Sequence, residues 1–242
     1  MRRRIGTRNP HFQQRLRFAT LSAMRITVTN YLEVISSWCF WAAPTWARLQ
    51  EQYAGRVRFR WKIALMDRSG FPKTREQAEW YYRRSGLMMR SPFMLKPGWF
   101  KPEIEECLTP NLVAEAARDL GIEDDRVWLA IAHATVRDGI QTCDWYAAAE
   151  AAAAASGLEK GKLLERAQSP DVEARVRATT AEFHAMQVTQ RPTFVVDSEI
   201  GDRAIFSGFA RIEPIAAAID AMLEDLAFYD SFAAHFGSVP PG

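Results

Sequence analysis

The stretch from Val34 to Trp41, VISSWCFW, holds one cysteine and, three residues before it, a serine. With sulfur at both positions, Ser36 and Cys39 would form a C-x-x-C pair, a dithiol redox motif. Dithiol exchange needs one thiolate that attacks and a second that resolves. A serine hydroxyl does not attack at its ordinary pKa, but it donates a hydrogen bond to another molecule's thiolate. The backbone N–H groups and the dipole at a helix N-terminus favour a bound anion as well. Replacing sulfur by oxygen therefore turns a site that reacts with thiols into one suited to holding a thiol cofactor. The plainer reading of Ser36 is an N-cap, which any helix start can carry. Cys39, left alone, reads either as a small buried residue or as a mono-thiol that forms mixed disulfides or is oxidised.

These residues need a strand before them and a helix after them. Arg25 to Tyr31, RITVTNY, is rich in β-branched residues and reads as strand, and Ala42 to Tyr53 reads as helix. Val57 to Ile63, VRFRWKI, alternates strictly, with Val57, Phe59, Trp61 and Ile63 on one face and three cations on the other. That is a half-buried strand at a sheet edge. The chain thus opens β-α-β, with VISSWCFW at the first strand-to-helix turn. A helical block follows: Thr109 to Gly121, Asp125 to Gly139, Asp144 to Ser156, and a long helix opened by Ser169-Pro170. The end returns to strand at Thr193 to Asp197 and at Ala204 to Phe209, and Pro214 starts a last helix reaching Leu226.

A βαβ half, a ββα half and a proline opening the second half make a layout that resembles the thioredoxin fold. The helical block between the halves resembles the DsbA-type subgroup. The resemblance spans Met24 to Leu226 and rests on LEVISSWCFW and on RPTFVVD, which is similar to a cis-proline loop at Pro192. It implies an α/β thioredoxin fold (βαβ…ββα) with a helical insertion at about 71–190 and a C-terminal tail over 227–242. Apart from the resemblance, strand pattern begins directly after Met24, so the arginine-rich residues 1–23 read as a disordered or over-annotated leader, with a targeting segment or an ordered arm as the alternatives. Dithiol members carry C-P-x-C at the turn. Kappa-class glutathione transferases and 2-hydroxychromene-2-carboxylate isomerases carry a run like D-V-L-S-P-Y-S-W. Here Glu33-Val34-Ile35-Ser36 falls in step with the second pattern, Ser37 replaces its proline, and Cys39 is retained from the first.

The resemblance implies that Ser36 binds the sulfur of glutathione or another low-molecular-weight thiol. Pro192 and Arg191 would pair with the backbone of that cofactor. Arg191 would lower a thiol pKa or meet an acidic substrate if it faces the site, and would do nothing if it faces solvent. Glu33 stands where relatives carry a site-proximal acid; a solvated turn acid is the alternative. The kappa-type G-x-D-R run is represented by Gly208-Phe209-Ala210-Arg211, so Arg211 is kept while the Asp that grips glutathione is Ala210. Candidate catalytic residues are therefore Ser36 and Cys39, and candidate cofactor-binding residues are Arg191, Pro192 and Arg211. The four histidines are too scattered to suggest a metal site.

From Phe71 to Pro102 large apolar side chains crowd between prolines and glycines, with Arg83, Arg84, Arg90, Lys96 and Lys101 interleaved. One reading is a lid over a pocket for an apolar small molecule, anionic if those cations face it. The other is ordinary core or a contact between two copies of the chain.

Charge narrows the partners. The net charge is +2, but residues 1–23 hold six arginines and no acid, leaving 25 basic against 29 acidic residues from Met24 onward. That balance argues against nucleic acid. No apolar run approaches the about 20 residues of a membrane span. Three cysteines, Cys39, Cys107 and Cys143, cannot form a disulfide framework without one left over, so a reducing, cytoplasmic setting is the expectation; Cys107 and Cys143, in helical contexts without partners at metal spacing, read as structural. The leading function is a thiol-dependent transferase or isomerase acting on an apolar electrophile. The alternatives are a mono-thiol redox protein using Cys39 and a binding protein that kept the fold without the chemistry.

Overall fold

The structure, a computed structural model, describes residues 24–67, 69–104, 106–208, 211–237 and 240. The leader expected over 1–23, and Ala210, lie outside the described residues.

Four strands make one mixed sheet in the order β2-β1-β3-β4: β1 is Ile26–Leu32, β2 Val57–Ile63, β3 Thr193–Ser198 and β4 Arg203–Ser207. The central β1 runs parallel to β2, from Ile26 opposite Val57 to Leu32 opposite Ile63. It runs antiparallel to β3, with Tyr31 opposite Thr193. Its alternate residues serve two cores. Ile26, Val28 and Leu32 join the main cluster with Trp46, Leu49, Phe194, Ile215 and Ile219. Tyr31 joins a smaller one with Ala64, Phe183 and Val195. The alternating β2 is an edge strand, as its pattern predicts, with Arg58 and Arg60 exposed and Val57, Trp61 and Ile63 buried.

Among the described residues, eight α-helices surround the sheet. Helix α1 is Ser37–Gln52, five residues longer at its start than the sequence suggests. Helix α2 is Arg75–Met88, capped by Thr74, whose hydroxyl accepts from Gln77 N. The insertion continues with α3 (Thr109–Asp119), α4 (Arg126–Ala132, running on into a π turn at His133–Arg137), α5 (Trp145–Ser156), α6 (Lys160–Ala167) and α7 (Pro170–Ala185). Asp125 joins this block to α1: its carboxylate accepts from the indole N–H groups of Trp46 and Trp128, each at 2.9 Å. Helix α7 covers the other face of the sheet, where Thr179 Oγ1 donates to Ile63 O at 2.7 Å and Tyr31 OH donates to Glu182 at 2.5 Å.

Two expectations are corrected. The cysteine count suggests a reducing setting, but Cys107 and Cys143 form a disulfide with Cα atoms 5.2 Å apart. Each lies just before a helix, α3 and α5, and the packing of those helices brings the two cysteines together; neither spacing nor local pattern encodes that approach. With a disulfide present, the cysteine count no longer points to a reducing compartment. Residues 227–236 of the expected tail are not separate from the domain, because the last helix, α8 (Glu213–Phe236), runs ten residues beyond Leu226. No Gly or Pro interrupts that extension before Gly237, and Asp230 within it pairs with Arg25 at the start of the sheet, 2.5 Å away. Among the described residues no helix is long and apolar enough to cross a membrane.

Candidate active site

The site grows from the turn between β1 and α1. Ser36 N donates to Glu33 O at 3.0 Å, closing the turn. Ser36 is extended (φ −74°, ψ 124°) and its hydroxyl accepts from Cys39 N, so it is the N-cap of α1. The N-cap reading and the functional one are thus compatible, because the cap uses a lone pair of the hydroxyl and leaves its O–H to donate either to Cys39 Sγ or into the cavity. Cys39 lies one turn inward, 4 % exposed. Its Sγ accepts from Glu33 N at 3.4 Å. Burial pushes the Cys39 thiol up to about 11, outweighing the bonds from Glu33 N–H and Ser36 that pull it down. At neutral pH the thiol therefore keeps its proton, and Cys39 is a poor nucleophile.

Glu33 is not a solvated turn acid. It is 1 % exposed. Asn111 Nδ2 donates to one of its oxygens and Met66 N to the other, the latter at 2.9 Å. Asn111 Oδ1 in turn accepts from Val34 N at 3.1 Å. Burial pushes the Glu33 carboxyl up to about 7 despite those two hydrogen bonds. Asn111, in the first turn of α3, is the residue that sequence reasoning missed. A single Asn inside an apolar helix carries no sign that it reaches the turn 77 positions earlier.

The peptide bond Arg191–Pro192 is cis. Arg191 neither points freely into the site nor lies idle in solvent. Its Nε donates to Ala64 O at 2.7 Å, its Nη2 to Leu65 O and its Nη1 to Thr189 O at 3.1 Å. The guanidinium lies 4.5 Å from the centre of the Phe183 ring. It therefore ties the cis-proline loop to the segment leaving β2. Glu33, Cys39 and Asp67 lie within its electrostatic reach.

Two cavities flank the turn. The first, about 310 Å³, is bounded by Ser36, Ser37 and Trp38 from the turn and by Tyr81, Tyr82, Arg84 and Trp99 from the aromatic stretch. That stretch thus does two jobs, since Phe71, Tyr82, Trp99 and Phe100 are also buried core. The second cavity, about 370 Å³, lies along the cis-proline loop, between Trp38, Arg84 and Met88 on one side and Gln190, Arg191, Ser207 and Gly208 on the other. Trp38 and Arg84 line both. A larger hollow of about 450 Å³ lies at Arg75, Lys96 and Asp138, away from the turn, and contains none of its residues. Arg211 is exposed and lines neither of the two flanking cavities. Among the described residues no three His, Cys, Asp or Glu side chains converge on a metal position.

Comparison with known proteins agrees with this architecture. Residues 27–220 match the DSBA-like thioredoxin domain. The cytosolic disulfide reductase DsbM from Pseudomonas aeruginosa superposes with a TM-score of 0.64 at 15% identity, over 82% of this chain and 98% of that one. The same protein with GSH gives 0.61 at 14% identity, over 82% and 99%. A 2-hydroxychromene-2-carboxylate isomerase gives 0.58 at 14% identity, over 84% and 98%. No curated protein matches.

Proposed function

The chain belongs to the DSBA-like thioredoxin domain family, and from that premise we propose that it is a thiol-dependent transferase or isomerase acting on an apolar electrophilic small molecule, not a dithiol oxidoreductase. One observation carries this reading. The turn lines the aromatic cavity with Ile35, Ser36, Ser37 and Trp38 and so brings no sulfur to it: Ser36 puts a hydroxyl where a dithiol site has its outer thiol, while the sulfur of Cys39 is buried and holds its proton.

In this reading a small thiol binds with its sulfur at the N-terminus of α1. The Ser36 O–H donates to that sulfur, and the helix dipole favours its anion. The thiol proton leaves to solvent. A thiol so held would supply a nucleophilic sulfur for an electron-poor carbon, the electron pair of the attacked double bond moving onto the substrate's accepting group. In isomerisation that pair would return and the C–S bond break after rotation; in transfer the accepting group would take a proton from solvent and the bond would be kept. Trp38, Tyr81 and Trp99 would form the wall for that substrate. Glutathione is one candidate thiol, supported by its presence with a structural relative. Cytoplasmic location, proposed with it, is supported by the likeness to a cytosolic reductase.

Redox work through Cys39 alone is disfavoured by its burial and raised pKa. The test is the pKa of a bound thiol in wild type and in Ser36→Ala, which must rise if Ser36 donates to the thiolate.

A further inference from the structure

The second cavity bears on which thiol is used. Its charged lining residues are two cations, Arg84 and Arg191; its other walls are Trp38, Met88, Gln190, Ser207 and Gly208, so no carboxylate faces it among the described residues. The acids nearest Arg191 are already engaged. Glu33 is buried on Asn111 and Met66, and Asp67 accepts from Ser69 and Gly70. Arg84 makes no ion pair among the described residues; its guanidinium rests on the rings of Trp80 and Tyr81, 4.8 and 5.5 Å from their centres. The same helix pairs Arg75 with Glu79, so α2 does carry acids, but none is spent on Arg84. The position of Arg84 on both cavities sets it where the tail of a thiol anchored at Ser36 would pass Trp38 toward the cis-proline loop.

We propose that the thiol used by this chain sends a carboxylate, and no ammonium group, into the second cavity, and that Arg84 anchors that carboxylate there. This rests on the thiol-binding reading above and goes beyond it by fixing the charge that the cofactor brings there. An ammonium group there would face two cations with no carboxylate on the cavity wall to receive it. A carboxylate would meet a planar guanidinium already held by ring stacking, able to give it paired N–H donors.

The experiment titrates the full-length chain with 3-mercaptopropionate, 3-mercaptopropanol and cysteamine, following tryptophan fluorescence. Because Arg84 is exposed, the expected preference is modest: about fivefold tighter binding of the acid than of the alcohol, as for a solvent-accessible ion pair, with cysteamine weakest. Arg84→Gln should erase the order and Arg84→Lys should keep most of it, both melting as wild type does. Ser36→Ala should weaken all three thiols alike and leave the charge order intact, which separates this inference from the sulfur site. Equal binding of the three thiols to wild type, or an unchanged order in Arg84→Gln, would overturn it while leaving the Ser36 reading standing. A sulfur-free aromatic carboxylate such as 1-naphthoate, bound through Arg84 but indifferent to Ser36→Ala and not displaced by 3-mercaptopropionate, would assign the anion to the acceptor substrate and also overturn it. Absence of binding by every thiol would sink both readings.

Discussion

Ser36 Oγ accepts the backbone N–H of Cys39 at 3.3 Å, so one turn of helix holds an oxygen at the cavity wall and a sulfur beneath it. Exchange chemistry needs the outer atom to be sulfur. The first expectation is therefore that the wild type does not reduce insulin disulfides, while Ser36→Cys, which restores an outer thiol over Cys39, does. Insulin turbidity with dithiothreitol measures both. Activity in the wild type that disappears in Cys39→Ala would instead favour a mono-thiol protein.

The buried carboxyl of Glu33 makes stability depend on pH. Its folded pKa is raised to about 7 from an ordinary 4.5, so between those values the folded state binds more protons than the unfolded one. Stability from this group is therefore highest below about 4.5 and falls as pH rises toward about 7, by a few kcal/mol at most, where the carboxylate must ionise in the interior. Melting temperature against pH should decline over this window in wild type and be flatter in Glu33→Gln. Identical profiles would mean that Glu33 ionises normally.

Much of the frame that positions these groups is legible in the sequence, because it rests on periodicity. The alternation of VRFRWKI specifies an edge strand, and RPTFVVD in its place after the helical block points to the cis bond at Pro192. The sequence suggests too short an α1 because Pro44 argues for a helix beginning close before it, whereas the chain accepts that proline two turns into a helix capped by Ser36. Contacts between distant segments are not legible. Asn111 on Glu33, Arg191 on the carbonyls of Ala64 and Leu65, and Cys107 on Cys143 are products of tertiary packing, and the local sequence around each residue is compatible with other partners.

The disulfide is expected to be structural. It closes a separation of 36 residues, for which the chain-entropy account gives about 3–4 kcal/mol. Cys107→Ser with Cys143→Ser should lower the melting temperature by several degrees and leave thiol binding at Ser36 unchanged. A double variant as stable as wild type would show that the helical block needs no such link.

Arg191 is expected to hold the cis-proline loop rather than to tune a thiol. Arg191→Ala should cost about 2 kcal/mol, from lost hydrogen bonds to a charged group and lost packing on Phe183. Arg191→Lys should recover only part of it, because an ammonium cannot span both carbonyls in the same plane. Denaturant unfolding measures the cost. Full rescue by lysine would show that charge alone matters at this position.

If Ser36 donates a hydrogen bond to a bound thiolate, thiolate absorbance against pH will report it for small thiols, 3-mercaptopropionate and glutathione among them, bound to wild type and to Ser36→Ala. A hydrogen bond to a charged group is worth roughly 1.5–3 kcal/mol, and one pKa unit about 1.4 kcal/mol. The expected result is a bound-thiol pKa below that of the free thiol in wild type, rising by about 1–2 units in Ser36→Ala. A bound thiol whose pKa is the same in both proteins would contradict it.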